Sequence, residues 1–220
     1  MTDQPGCTSS RALIVCGILA SLLYVLADAL GAVAWPGYSH ASQGVSELMA
    51  TGAPSRPLVL SLMSVRSFLL LVFALGVWRS AQGKLALRFT AILLVTDAVV
   101  GQVTATFFQA VQRGAAGSPT MHVIGTGLES LAILLAMGFS AAAFGKRFRL
   151  YSIGTILILL VFGALAGADT SPIEAQLPTP WLGITERINI YAYLLWMVVL
   201  AIALLRRRDT AAVAFRSDSG

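Results

Sequence analysis

Hydrophobic residues gather into six long runs separated by short polar stretches: 12–35, 58–78, 89–108, 121–144, 150–168 and 188–205. Each run holds about 18 to 24 residues, and about 20 are needed at 1.5 Å per residue to cross a hydrocarbon core of about 30 Å. Lipid offers backbone N–H and C=O groups no partner, and the runs lack the period-two alternation of a barrel strand. Each is therefore predicted to be a transmembrane α-helix. The expected fold class is all-α, a polytopic bundle of six transmembrane helices. A segment 1–11 precedes it and a basic tail 206–220 follows it, of which 209–220 is small, polar and expected to be disordered.

The polar punctuation carries a direction. One set of connections holds Arg11, then Arg79, Lys84 and Arg88, then Lys146, Arg147 and Arg149, then Arg206, Arg207, Arg208 and Arg216. The alternate set holds only Arg56, Arg113 and Arg187. The positive-inside rule then places both termini in the cytoplasm of a plasma (inner) membrane, with Trp35 and Trp181 at the outer interface and Trp78 at the inner one. The outer connections, 36–57, 109–120 and 169–187, are the longer ones, so they and the spans beneath them hold most of the candidate chemistry.

Composition strengthens this picture. Hydrophobic residues make up 57% of the 220, charged residues only 11%, and mean hydropathy is +0.80, whereas a soluble domain carries roughly 25% charged residues to hydrate its surface. The net charge of +5 does not indicate nucleic acid, because the basic residues punctuate apolar runs instead of gathering on one solvated face. The first run exceeds the roughly 7 to 15 residues of a signal-peptide core and is read as a retained span. Val15 is too bulky for the lipoprotein box that Cys16 would otherwise complete. Cys16 is read as a small hydrophobe, and with Cys7 it implies no disulfide framework.

Asp28, Arg66, Asp97 and Glu129 fall within the runs, and each costs roughly 2.5 to 3.5 kcal/mol at a helix centre unless a partner or wet cavity receives it. Counted from the outer ends of their runs, Asp28, Arg66 and Glu129 lie at similar depth, about 10 to 12 Å down. They are expected to meet in one intramembrane polar layer, read either as a polar cavity open to the outer leaflet that binds a head group or moves protons, or as internal glue in which Arg66 neutralises Asp28 or Glu129. Asp97 sits nearer the midplane, on a stripe with Gly101 and Thr104, and without a cation it would be neutral. A second group is expected at an outer pocket rim: Ser46, Glu47, His122, Asp169, Glu186 and Arg187. His122 and Glu129 share a helical face two turns apart. Ser46 with Glu47 also reads as the start of a short interfacial helix. With two histidines in the chain a three-histidine zinc site is excluded, and neither a metal nor a cofactor is expected.

Tyr38, Ser46-Glu47-Leu48 and the following Gly52-Ala53-Pro54 resemble the Ser-Glu-Leu loop of the family catalogued as domain of unknown function 998. His122 at the opening of the fourth span, and Gly183, Glu186 and Arg187 before the last, fit that family's pattern too. The resemblance runs from about residue 12 to 205 and implies a six-pass bacterial or archaeal membrane protein with a shared site on the outer side. It implies no activity. The seven spans and late paired histidines of transmembrane hydrolases related to alkaline ceramidases are missing.

The leading expectation is a polar pocket on the extracytoplasmic side that binds a small or lipidic ligand. Beyond the lipid bilayer and that ligand, the sequence indicates no nucleic acid and names no protein partner. The alternatives are a hydrolase-like membrane enzyme acting on lipid through Ser46 or His122, a proton-coupled transporter using Asp97 and Glu129, and an accessory subunit of a membrane complex.

Overall fold

A computed structural model describes residues 5–110, 120–169, 172–173, 175 and 177–217, with side chains described between 11 and 207; Arg113, Arg208 and Arg216, counted above for topology, lie outside the described side chains. Six long helices follow one another: α1 (Pro5–Val33), α2 (Arg56–Arg79), α3 (Leu85–Phe107), α4 (Thr120–Ala143), α5 (Lys146–Ala168) and α6 (Leu182–Ser217). All six are long and apolar enough to cross a membrane, and no strand occurs among the described residues. Large apolar side chains such as Leu22, Phe68, Leu157 and Leu195 face outward, which water would penalise and acyl chains accept.

Helix ends depart from the sequence expectation: α1 already begins at Pro5, inside the segment 1–11 expected to precede the bundle, and both ends of the last helix shift. The sixth helix begins at Leu182 rather than 188, taking Glu186 and Arg187 into its first turns, because the first loop supplies partners for both charges. It also runs on to Ser217, where a disordered tail is expected from 209; Ala211, Ala212 and Ala214 are strong helix formers.

Each helix packs chiefly on its neighbours in sequence, and α6 returns to α1, so the bundle is a closed ring. Its two halves are packed differently. At the end carrying Arg79, Lys84 and Arg88, one apolar cluster fills the interior, with Phe73, Leu94, Met137, Trp196 and Leu200 fully or almost fully buried. Trp196 satisfies its indole N–H on Ser152 Oγ at 3.1 Å. At the opposite end, the small cluster of Ala27, Val45, Leu48, Val59 and Met63 pins the first loop onto α1 and α2, and the centre is hollow. The helices of the tight half approach closely. A Cβ added to Gly76 would stand 3.0 Å from the backbone carbon of Leu13.

Candidate functional site

Helix ends determine which charges meet. Asp28 lies five residues before the end of α1 and Arg187 five residues after the start of α6, each about 8 Å in. Arg66 is ten residues into α2, Asp97 ten from the end of α3 and Glu129 nine into α4, all about 15 Å in. Two layers result, and the single layer of Asp28, Arg66 and Glu129 expected from the runs does not form.

In the upper layer Arg187 clamps Asp28 with two parallel bonds, Nε to Oδ2 at 2.9 Å and Nη2 to Oδ1 at 2.8 Å. This bidentate pairing matches guanidinium to carboxylate geometry. Nη2 also donates to Tyr38 Oη at 2.8 Å, while Nη1 donates to the carbonyls of His40, Gln43 and Gly183. Tyr191 donates to Asp28 as well. Every nitrogen of Arg187 is engaged. Asp28 is thus neutralised by Arg187, not by Arg66, because the early start of α6 brings Arg187 to its depth.

The neighbouring Glu186 accepts the backbone N–H groups of Val45 at 3.0 Å and Ser46 at 3.3 Å, and Glu47 accepts that of Gly44 at 3.0 Å. These are donors left over where the 3-10 turn Ser46–Met49 begins, so the two glutamates cap the turn electrostatically and the Ser46 side chain does not. Gly183 makes the close approach possible. A Cβ there would fall 2.3 Å from His40 O and 2.4 Å from Gln43 O, and its own N–H donates to Ala41 O at 2.9 Å. The Ser-Glu-Leu loop and the Gly-x-x-Glu-Arg stretch therefore form one clasp. Tyr38, within it, has its phenol pushed above the ordinary tyrosine value by burial, against the opposing effect of Arg187.

The lower layer is less complete. Arg66 Nη2 stands 3.7 Å from Asp97 Oδ2, an ion pair without a hydrogen bond, and both side chains are buried. Tyr193 donates to Asp97 Oδ2, and Glu129 interacts with Asp97 from α4. Asp97 thus has a cation at hand, contrary to its expected isolation, because Arg66 reaches its depth. Two buried atoms are orphaned: Arg66 Nε and Asp97 Oδ1 have no hydrogen-bond partner. The Arg66 guanidinium lies 5.5 Å from the Tyr24 ring centre, within cation–π range.

A cavity of about 650 Å³ occupies the hollow half between the layers. Of the residues expected at a rim, Ser46, Glu47, His122 and Glu186 line it; Arg187 is spent in the clasp and Asp169 ends α5 outside the lining. Arg66 and Glu129 line its deeper part together with Tyr24 and Tyr193, while Gln102 and Asn189 stand in its walls. His122 Nδ1 lies 2.9 Å from Phe108 O, which orients the ring with Nδ1–H as donor. Among the described residues no group of three or more His, Cys, Asp or Glu could hold a metal ion.

Sequence reasoning missed Tyr191 and Tyr193 as partners of the buried carboxylates. The signal was there: a tyrosine inside a span needs a partner for its hydroxyl, and two stand in the last helix beyond Arg187. Asn189, whose Nδ2 donates to Leu159 O at 2.9 Å, ties α6 to α5 and was legible in the same way.

Six apolar helices with buried charges and lipid-facing leucines define a multi-pass integral membrane protein. Residues 18–203 match the family described as "Protein of unknown function (DUF998)", and the chain belongs to it. No curated protein and no solved structure matches the chain.

Proposed function

We propose that this protein binds a small or lipidic ligand in the cavity of its hollow half, on the extracytoplasmic side of a plasma membrane. The contrast between the two buried arginines carries the reading. Arg187 has every nitrogen satisfied and serves as a structural clasp, whereas Arg66, whose ion pair with Asp97 at 3.7 Å makes no hydrogen bond, lines a cavity large enough for a drug-sized molecule. A guanidinium with hydrogen-bonding capacity left over gains from a ligand that accepts from it. Glu129, Tyr24 and Tyr193 add polar groups of both hydrogen-bonding senses at the same depth. The positive-inside count supports the side.

Purification in mild detergent with native lipids, followed by mass spectrometry of what is co-isolated, tests the proposal on the parent and on Arg66→Ala, Glu129→Ala and the double variant. A bound species lost from the variants is the expected outcome. If all four proteins express, extract and carry the same molecules, the deep layer has no part in binding. A hydrolase reading has weaker support. His122 is oriented as a base and Ser46 lines the same cavity, yet Ser46 makes its polar contact through its backbone N–H to Glu186.

A further inference from the structure

All six helices contribute to the cavity lining, but α4 and α5 bury few side chains at its level. Beyond Leu159 no residue of α5 is buried, and between Thr120 and Leu131 the only buried residue of α4 is Gly125, which packs on Thr104 of α3. Gly127 of α4 and Gly167 of α5 both line the cavity, and a Cβ on either would meet nothing within 4 Å. Thr126 and Ser130 add hydroxyls along the same stretch of α4. This gap lies within the length of the spans, so it faces acyl chains and not water.

What enters from that side must carry chains that stay in the bilayer, and what reaches the floor must satisfy what waits there. Arg66 stands on the cavity wall, paired with Asp97 at 3.7 Å without a hydrogen bond, and can take an acceptor. Glu129 lines the same cavity and offers its carboxyl group there, while Asp97 lies behind it, fully buried and outside the lining. A head group that joins a phosphate to an ammonium offers Arg66 an acceptor and Glu129 a donor, whereas a purely anionic one offers Glu129 none. About 650 Å³ holds such a head group and the backbone that carries it, leaving the tails to pass between α4 and α5. Building on the ligand-binding reading above, we infer that the cavity takes a phospholipid with an ammonium-bearing head group, entering sideways between α4 and α5, with the phosphate at Arg66 and the ammonium at Glu129.

The full chain is reconstituted into nanodiscs holding equal phosphatidylethanolamine and phosphatidylglycerol, then released for native mass spectrometry. The parent is expected to retain one phosphatidylethanolamine in preference to phosphatidylglycerol. Arg66→Gln, which removes the charge-assisted bond, and the pair Gly127→Phe with Gly167→Phe, which fills open space at the gap, should each lower retention about tenfold with helix content unchanged. Should the phenylalanine pair fail to fold, Gly167→Cys in a chain with Cys7 and Cys16 replaced by Ser, capped after folding with a bulky maleimide, blocks the same gap. Equal retention of the two lipids, or retention untouched by blocking, overturns the inference. A further arm offers free phosphoethanolamine. Binding of it that depends on Arg66, with no phospholipid retained, removes the lipid and the side entrance while leaving ligand binding intact; failure of both probes removes this inference and the proposed function together.

Discussion

Arg187 spreads its three nitrogens over Asp28, Tyr38 and the carbonyls of His40, Gln43 and Gly183, so its removal strands a carboxylate that is 2% exposed. Arg187→Ala is expected to cost about 3–5 kcal/mol, the usual penalty for breaking a buried pair from one side, read as a fall in melting temperature in mild detergent. Asp28→Asn made in addition should recover part of that loss, because the two residues act as a unit. Tyr38 gives a pH signature. Its folded value is raised, so its contribution is fully present below the ordinary tyrosine value of about 10 and is lost as pH rises from there through the folded value. A melting series between pH 8 and 12 should fall only at its alkaline end, and Tyr38→Phe should flatten that fall.

At the scale of elements, the clasp between the first loop and α6 predicts unequal tolerance of one methyl group. Gly183→Ala drives a Cβ into two loop carbonyls and should destabilise by about 1–3 kcal/mol, while Gly167→Ala, pointing into open space, should melt within about 0.5 kcal/mol of the parent. The six spans were legible in the sequence because hydrophobic length leaves lipid-embedded backbone no alternative to the helix. Helix ends were not legible. Glu186 and Arg187 read as loop residues on charge alone, and only their partners on the first loop, some 140 residues earlier, make them helical. A difference of six residues at the start of α6 left Arg187 in the loop, so that Arg66 was the cation on offer to Asp28 or Glu129. Ser46, Glu47, His122 and Glu186, singled out by type and position, line the cavity, whereas the completeness of Arg187 and the incompleteness of Arg66 depend on hydrogen bonds that no spacing reveals.

The whole molecule is a ring with one solid and one hollow half, and the basic residues mark the solid end. If that end faces the cytoplasm, reporters fused at either terminus or at Gly83 should be active only as cytoplasmic fusions, and one inserted at Gly37 only as an exported one. The ring closes through α1 against α6, and the two halves of its best-made ion pair lie 159 residues apart. That separation has a consequence for biogenesis. Asp28 enters the bilayer first and Arg187 nearly last, so during synthesis the opening span waits for its countercharge until the final one emerges. A chain truncated after Ala168 should therefore be recognised as unfinished and cleared far faster than the complete protein in a pulse-chase measurement, and Asp28→Asn should lengthen the life of the fragment.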